Sequence, residues 1–123
     1  MGFTVAWRGL TAVRQHTPRN LPHYSATKAG QTMVVKELAR ALGADGIRVN
    51  AIAPGAIPGG GFDADTKALE RMIPLGRTGT PDDIADMAVA LLCDRFSRYV
   101  TGTTVAVDGG LSLYNWIPFR TLG

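Results

Sequence analysis

From residue 24 the apolar positions recur with a helical period. Ala26, Ala29, Gly30, Met33, Val34, Leu38, Ala41 and Leu42 predict one long helix over 24–42. Gly43 and Gly46 follow it as a glycine stop. Residues 47–53 (IRVNAIA) are a short, mostly apolar run between Gly46 and Pro54-Gly55, which predicts a strand buried on both faces, as in a parallel sheet. Residues 65–73 predict a short amphipathic helix with Leu69, Met72 and Ile73 on one side. The next helix has a legible start: Thr80 as N-cap, Pro81 at the first helical position, and Asp82 and Asp83 at the positive end of the dipole. Ile84, Met87, Ala88, Leu91 and Leu92 give it an apolar face. Residues 103–107 (TTVAV) predict a second buried strand, ended by Asp108-Gly-Gly. Upstream, residues 3–7 offer a short strand, and Pro18 and Pro22 punctuate a loop.

Strand, helix and strand in this order form a βαβ unit with parallel strands and a right-handed crossover. The fold class is therefore α/β, a doubly wound, Rossmann-like parallel sheet. Two or three strands make only part of such a sheet, which usually has about five or more. The chain reads as a piece of a larger domain, or as one completed by a partner. Residues 1–22 form a segment of uncertain structure, and 23–123 form the patterned part.

Composition sets the class. Hydrophobic residues are 46% and charged residues 19%, enough apolar surface for a core, which excludes a disordered chain. No apolar run approaches the roughly 18 residues of a membrane span, so no membrane association is expected. The net charge is +3. Residues 1–36 hold Arg8, Arg14, Arg19, Lys28 and Lys36 and no acid. An organelle transit segment would share that bias, but the stretch runs into a folded helix. The basic residues lack the aromatic interleaving of a nucleic-acid patch. The single cysteine, Cys93, fits a reducing compartment and a small buried apolar role, and the expected location is cytoplasmic. His16 and His23 lack metal spacing, and no metal site is expected.

Tyr24 and Lys28 carry the candidate chemistry. Four residues apart at the start of a helix, they share one face. A tyrosine titrates near 10 in isolation, and a nearby ammonium favours the phenolate, so the pair can exchange a proton near neutral pH. Any helix can also carry Tyr and Lys at this spacing by chance.

The surrounding motifs narrow the choice. Tyr24-Ser-Ala-Thr-Lys28-Ala-Gly30 resembles the active-site helix of the short-chain dehydrogenase/reductase family. Three later stretches resemble successive segments of the same family, in order: GIRVNAIAPG over 46–55, PLGRTGTPDDIA over 74–85 and YVTGTTVAVDGG over 99–110. The resemblance implies an NAD- or NADP-dependent oxidoreductase acting on a small-molecule alcohol or carbonyl, often as a homo-oligomer. It implies Tyr24 as catalytic acid/base and Lys28 as the residue that lowers its pKa and binds the nicotinamide ribose. Pro54, Gly55 and Ile57 match the stretch lying against the nicotinamide.

Departures accompany the match. Gly59 stands where the family has a Thr or Ser that contacts the cofactor. The family's G-x-x-x-G-x-G turn, which holds the pyrophosphate at a helix N-terminus, is expected to lie outside this chain, leaving NAD and NADP undistinguished and the chain inactive alone. For the catalytic serine the nearest hydroxyl at the right spacing is Thr11, in a stretch unlike the family's motif. Residues 55–61 (GAIPGGG) fit the glycine pattern only formally, because Pro58 interrupts them and no long helix follows. Apolar residues 111–118 resemble the family's C-terminal segment. The alternative reading is a truncated, non-catalytic relative that acts at most as an associating fragment.

Overall fold

A computed structural model describes residues 2–6, 22–58 and 66–113, with 2–6 and 22–29 described by their backbone. Thr11, His16, Gly59 and residues 114–118 fall outside the described residues. The elements are β1 (Gly2–Ala6), α1 (Pro22–Leu42), β2 (Arg48–Pro54), α2 (Thr66–Glu70), α3 (Pro81–Leu92), α4 (Asp94–Ser97) and β3 (Thr104–Val107), with single 3-10 turns at Gly43–Asp45 and Leu111–Leu113.

Among the described residues the strands form one parallel sheet in the order β1-β2-β3. Val5 pairs with Ala51, and Ala51 in turn with Thr104. The α/β expectation holds. β2 is central and buried along almost its whole length, because an apolar run of small and branched residues suits a strand covered on both faces. Its alternating residues serve two layers. Val49 and Ala51 form a cluster with Val35 and Ala39 of α1, flanked by Leu42 and Ile47. On the opposite face, Arg48 reaches Asp94 of α4, and α3 packs along the sheet. Three parallel strands in sequential order with α1 and α3 on opposite faces require crossovers of opposite hand. The right-handed rule therefore describes only one of the two.

The part of α1 that packs on the sheet is narrow, with Leu42 beside Val35 and Ala39. Val35 and Ala39 are buried, whereas Met33, Val34 and Leu38 are 56%, 55% and 43% exposed. The helix is apolar on two sides. Small side chains let its backbone approach the sheet at Val35 and Ala39, and the bulkier ones point away. α1 then ends at the expected place: Gly46 takes the left-handed conformation, φ 71°, and Ile47 N–H donates to Leu42 O at 3.2 Å. Ile47 thus belongs to the helix stop rather than to the strand.

Two polar side chains inside β2 connect it to the segment entering β3. Asn50 is fully buried. Its Nδ2 donates to Val100 O at 3.0 Å and its Oδ1 accepts from Thr103 N–H at 3.2 Å. Arg48 donates to Val100 O at 3.2 Å and to Asp94 Oδ1 at 3.1 Å. Buried polar atoms tolerate such a site only when partnered. Here the partners are backbone groups of the turn that leads into β3, Val100 O and Thr103 N–H, while Gly102 N–H donates to Val49 O and Thr103 O accepts from Ala51 N–H of β2. α4, absent from the sequence-based elements, is held to the end of α3 by Ser97, whose hydroxyl donates to Leu91 O at 2.8 Å. Cys93 is half-buried and free.

Candidate functional site

The carboxyl end of a parallel sheet is where ligands bind in open α/β folds, and the candidate residues gather at that edge. β2 ends at Pro54, and Gly55 N–H extends the ladder by donating to Val107 O at 2.9 Å. A Cβ on Gly55 would stand 2.6 Å from both Cα and Cβ of Asp108. The two strand ends lie against each other so closely that only glycine fits.

The Asp108 turn is fixed in its own right. Its carboxylate accepts from Gly110 N–H at 2.9 Å and from Ser112 N–H at 3.0 Å. Burial pushes this carboxyl up, but the hydrogen bonds from Ser112 and Gly110 outweigh burial and hold it below the usual carboxylate range.

Beyond Gly55 the chain leaves the sheet and returns at Gly79, whose N–H donates to Ala56 O at 2.9 Å. The return is anchored by the start of α3. Thr80 and Asp83 form the capping box that Thr80-Pro-Asp-Asp predicts: Asp83 N–H donates to Thr80 Oγ1 at 3.3 Å, and Thr80 N–H to Asp83 Oδ2 at 2.8 Å. Arg77, given no role of its own in the 74–85 stretch, forks onto both oxygens of Asp83 at 2.7 and 2.9 Å. The Arg77 guanidinium and the Thr80 N–H hold the Asp83 carboxyl well below the usual carboxylate range. The signal was present as Arg77 six residues before an N3 acid, but that spacing has meaning only once the Gly79 turn folds it back.

A pH dependence follows. Asp83 titrates lower in the folded chain than in the unfolded one. Its contribution is therefore complete above the unfolded carboxylate range, about pH 4, and is lost as the pH falls through the lower folded range. Acid unfolding of Asp83→Asn, followed by circular dichroism, is expected to have a shallower pH dependence below about pH 4 than that of the wild type.

Beside this turn lies a cavity of about 460 Å³, lined among others by Ala56, Ile57, Leu75, Met87, Val107 and Asp108. α1 turns into β2 through residues 43–47 and so runs antiparallel to it. Its first turns, carrying Tyr24 and Lys28, belong to the carboxyl edge of the sheet. At 3.6 residues per turn, positions 24 and 28 share the helical stripe of Val35 and Ala39, the one that meets β2. Topology thus brings α1's first turns and Pro54, Gly55 and Ile57 to one edge, with Ile57 lining the cavity.

The edge offers a half-buried, closely turned backbone beside a mainly apolar recess. A phosphate cradle does not appear at α3, whose N-terminus carries Asp82 and Asp83 and is capped by Thr80. Among the described residues no group of acidic, His or Cys side chains could hold a metal ion, and no helix is long and apolar enough to cross a membrane.

The family described as enoyl-(acyl carrier protein) reductase matches residues 7–112. A 3beta-hydroxysteroid dehydrogenase from Eggerthella lenta is 49% identical over 107 residues, which cover 80% of this chain and 41% of that protein. L-rhamnose 1-dehydrogenase (NAD(P)(+)) from Azotobacter vinelandii is 45% identical over 95 residues, 72% of this chain and 37% of that one. Among solved structures, a short chain dehydrogenase/reductase family oxidoreductase from Burkholderia thailandensis superposes with a TM-score of 0.77 at 33% identity, over 91% of this chain and 46% of that chain. The chain spans about two-fifths of the length of the curated relatives it matches.

Proposed function

The chain belongs to the short-chain dehydrogenase/reductase family, and from that premise we propose that it forms the catalytic and nicotinamide-facing part of an NAD- or NADP-dependent oxidoreductase acting on an alcohol or carbonyl. When bound, the nicotinamide gives or takes the hydride. The rest falls to the protein. The Tyr24 phenol gives a proton to the substrate oxygen in reduction and takes it back in oxidation. The Lys28 ammonium, one turn on, favours the phenolate and binds the nicotinamide ribose. Pro54, Gly55 and Ile57 line the nicotinamide side, and the wedged Gly55–Asp108 contact fixes their position.

The observation that carries this reading is the convergence of the Tyr24–Lys28 end of α1 and the Pro54–Ile57 turn on the carboxyl edge of one parallel sheet. In this reading residues 23–123 are the C-terminal part of the domain, and the pyrophosphate is held by residues outside this chain. Residues 1–123 alone then turn over nothing. Joined to a dinucleotide-binding half, they are expected to oxidise NADH or NADPH in the presence of a ketone or aldehyde. The absorbance of the reduced cofactor is the readout, and no consumption of either cofactor across a broad carbonyl panel would contradict the proposal.

Self-association belongs to the same reading. Met33, Val34 and Leu38 of α1 and Val89 and Leu92 of α3 are exposed large apolar side chains. Extensive exposed apolar surface in a domain commonly marks an interaction site. Sedimentation at micromolar concentration is expected to give a dimer or larger species. A sharp 13.1 kDa monomer would count against it.

A further inference from the structure

Gly79 is a glycine without a conformational reason. Its φ lies outside the left-handed region, so an alanine there would meet no backbone strain. The space is what excludes a side chain. A Cβ on Gly79 would stand 2.5 Å from Ile57 Cδ1, while its other neighbours, Ala56 O at 3.6 Å and Asp83 Oδ2 at 3.7 Å, are in ordinary contact. The same residue donates its N–H to Ala56 O at 2.9 Å. Its place is set from behind by the Arg77–Asp83–Thr80 network. Gly79 therefore touches the 56–57 segment twice, once through a hydrogen bond and once by leaving room for the tip of Ile57.

We infer that Gly79 is a positioning residue for the nicotinamide end of the site, acting through Ile57: by lacking a side chain it lets the Ile57 δ-methyl seat against the cavity it lines. The inference rests on the reading that places Ile57 against the nicotinamide. The obstruction in Gly79→Ala is the far end of a flexible side chain, so the fold yields by rotating Ile57. Stability should change little while the surface offered to the ring changes. The network gives a specific rescue, because Ile57→Val deletes the methyl that the new Cβ meets.

The test uses the enzyme assembled with its dinucleotide-binding half, with its isoleucine δ-methyl groups labelled for NMR. It is titrated with reduced nicotinamide mononucleotide, which asks only for the nicotinamide end. In the wild type the Ile57 methyl resonance is expected to move on titration. Gly79→Ala is expected to shift that resonance before any ligand is added and to weaken binding about tenfold, since a misplacement near 1 Å is costly at a reacting centre. Its melting temperature should stay within about 4 °C of the wild type. Gly79→Ala with Ile57→Val should bind within about twofold of Ile57→Val alone, a recovery that a general loss of packing would not produce. If the wild-type Ile57 methyl does not respond to the mononucleotide, the reading that places Ile57 at the nicotinamide falls, and this inference with it. If it responds and Gly79→Ala binds equally well, or Ile57→Val gives no rescue, this inference alone is overturned.

Discussion

Tyr24→Phe is expected to lower turnover by about 10²- to 10⁴-fold, the range that a positioned general acid/base contributes. The change removes one oxygen and keeps the ring, so the melting temperature and far-ultraviolet dichroism should match the wild type. The measurement is made in the enzyme assembled with its dinucleotide-binding half, and the loss should sit in kcat rather than in cofactor affinity. Lys28→Met belongs to the same experiment. It removes the ammonium that favours the phenolate, so in the alcohol-oxidation direction, where the phenolate takes the proton, the pH at which activity rises should move upward. A Tyr24→Phe variant that retains most of its activity would remove the tyrosine from the mechanism.

The largest expected loss of stability is at Asn50. Its buried amide serves Val100 O and Thr103 N–H. Asn50→Ala leaves the Thr103 donor without that partner and opens space at the centre of the sheet. An unsatisfied buried polar group costs about 1–3 kcal/mol, and the lost packing adds to it, so a total of about 3 kcal/mol is expected. Arg48 also donates to Val100 O, which spares that carbonyl and limits the loss. Urea denaturation of the two chains measures the difference. An equal midpoint would mean that the 100–103 turn takes its place without Asn50.

Much of the fold is legible in the sequence because local and global preferences agree. Residues 47–53 read as a doubly buried strand, and β2 is one, offset by a residue because Ile47 completes the helix stop. Thr80, Pro81 and Asp83 announce α3 by side-chain chemistry that works within one turn. What was not legible depends on contacts across the chain. α1 is apolar on two sides, so its periodicity marks the helix but not which side meets the sheet. The handedness of the crossovers depends on which face each helix takes, and no local pattern encodes that. α4 is a single turn of four residues fixed by Ser97, too short to show a period. Of the site, Tyr24, Lys28, Pro54, Gly55 and Ile57 were legible as motif positions. The Arg77–Asp83 fork and the Gly79–Ile57 contact join residues brought together only by the return of the chain to Ala56. Thr11 and Gly59 fall outside the described residues.

In the proposed reduction the hydride comes from the cofactor and the proton from Tyr24. The direct measurement reduces a prochiral ketone with cofactor carrying deuterium at the 4-position of the nicotinamide, using the assembled enzyme, and locates the label by mass spectrometry. The account predicts deuterium on the carbinol carbon, a hydroxyl proton that exchanges with solvent, and a labelled product yield that falls by about 10²-fold or more in Tyr24→Phe. Product with no deuterium on that carbon, or an equal labelled yield from Tyr24→Phe, would contradict it.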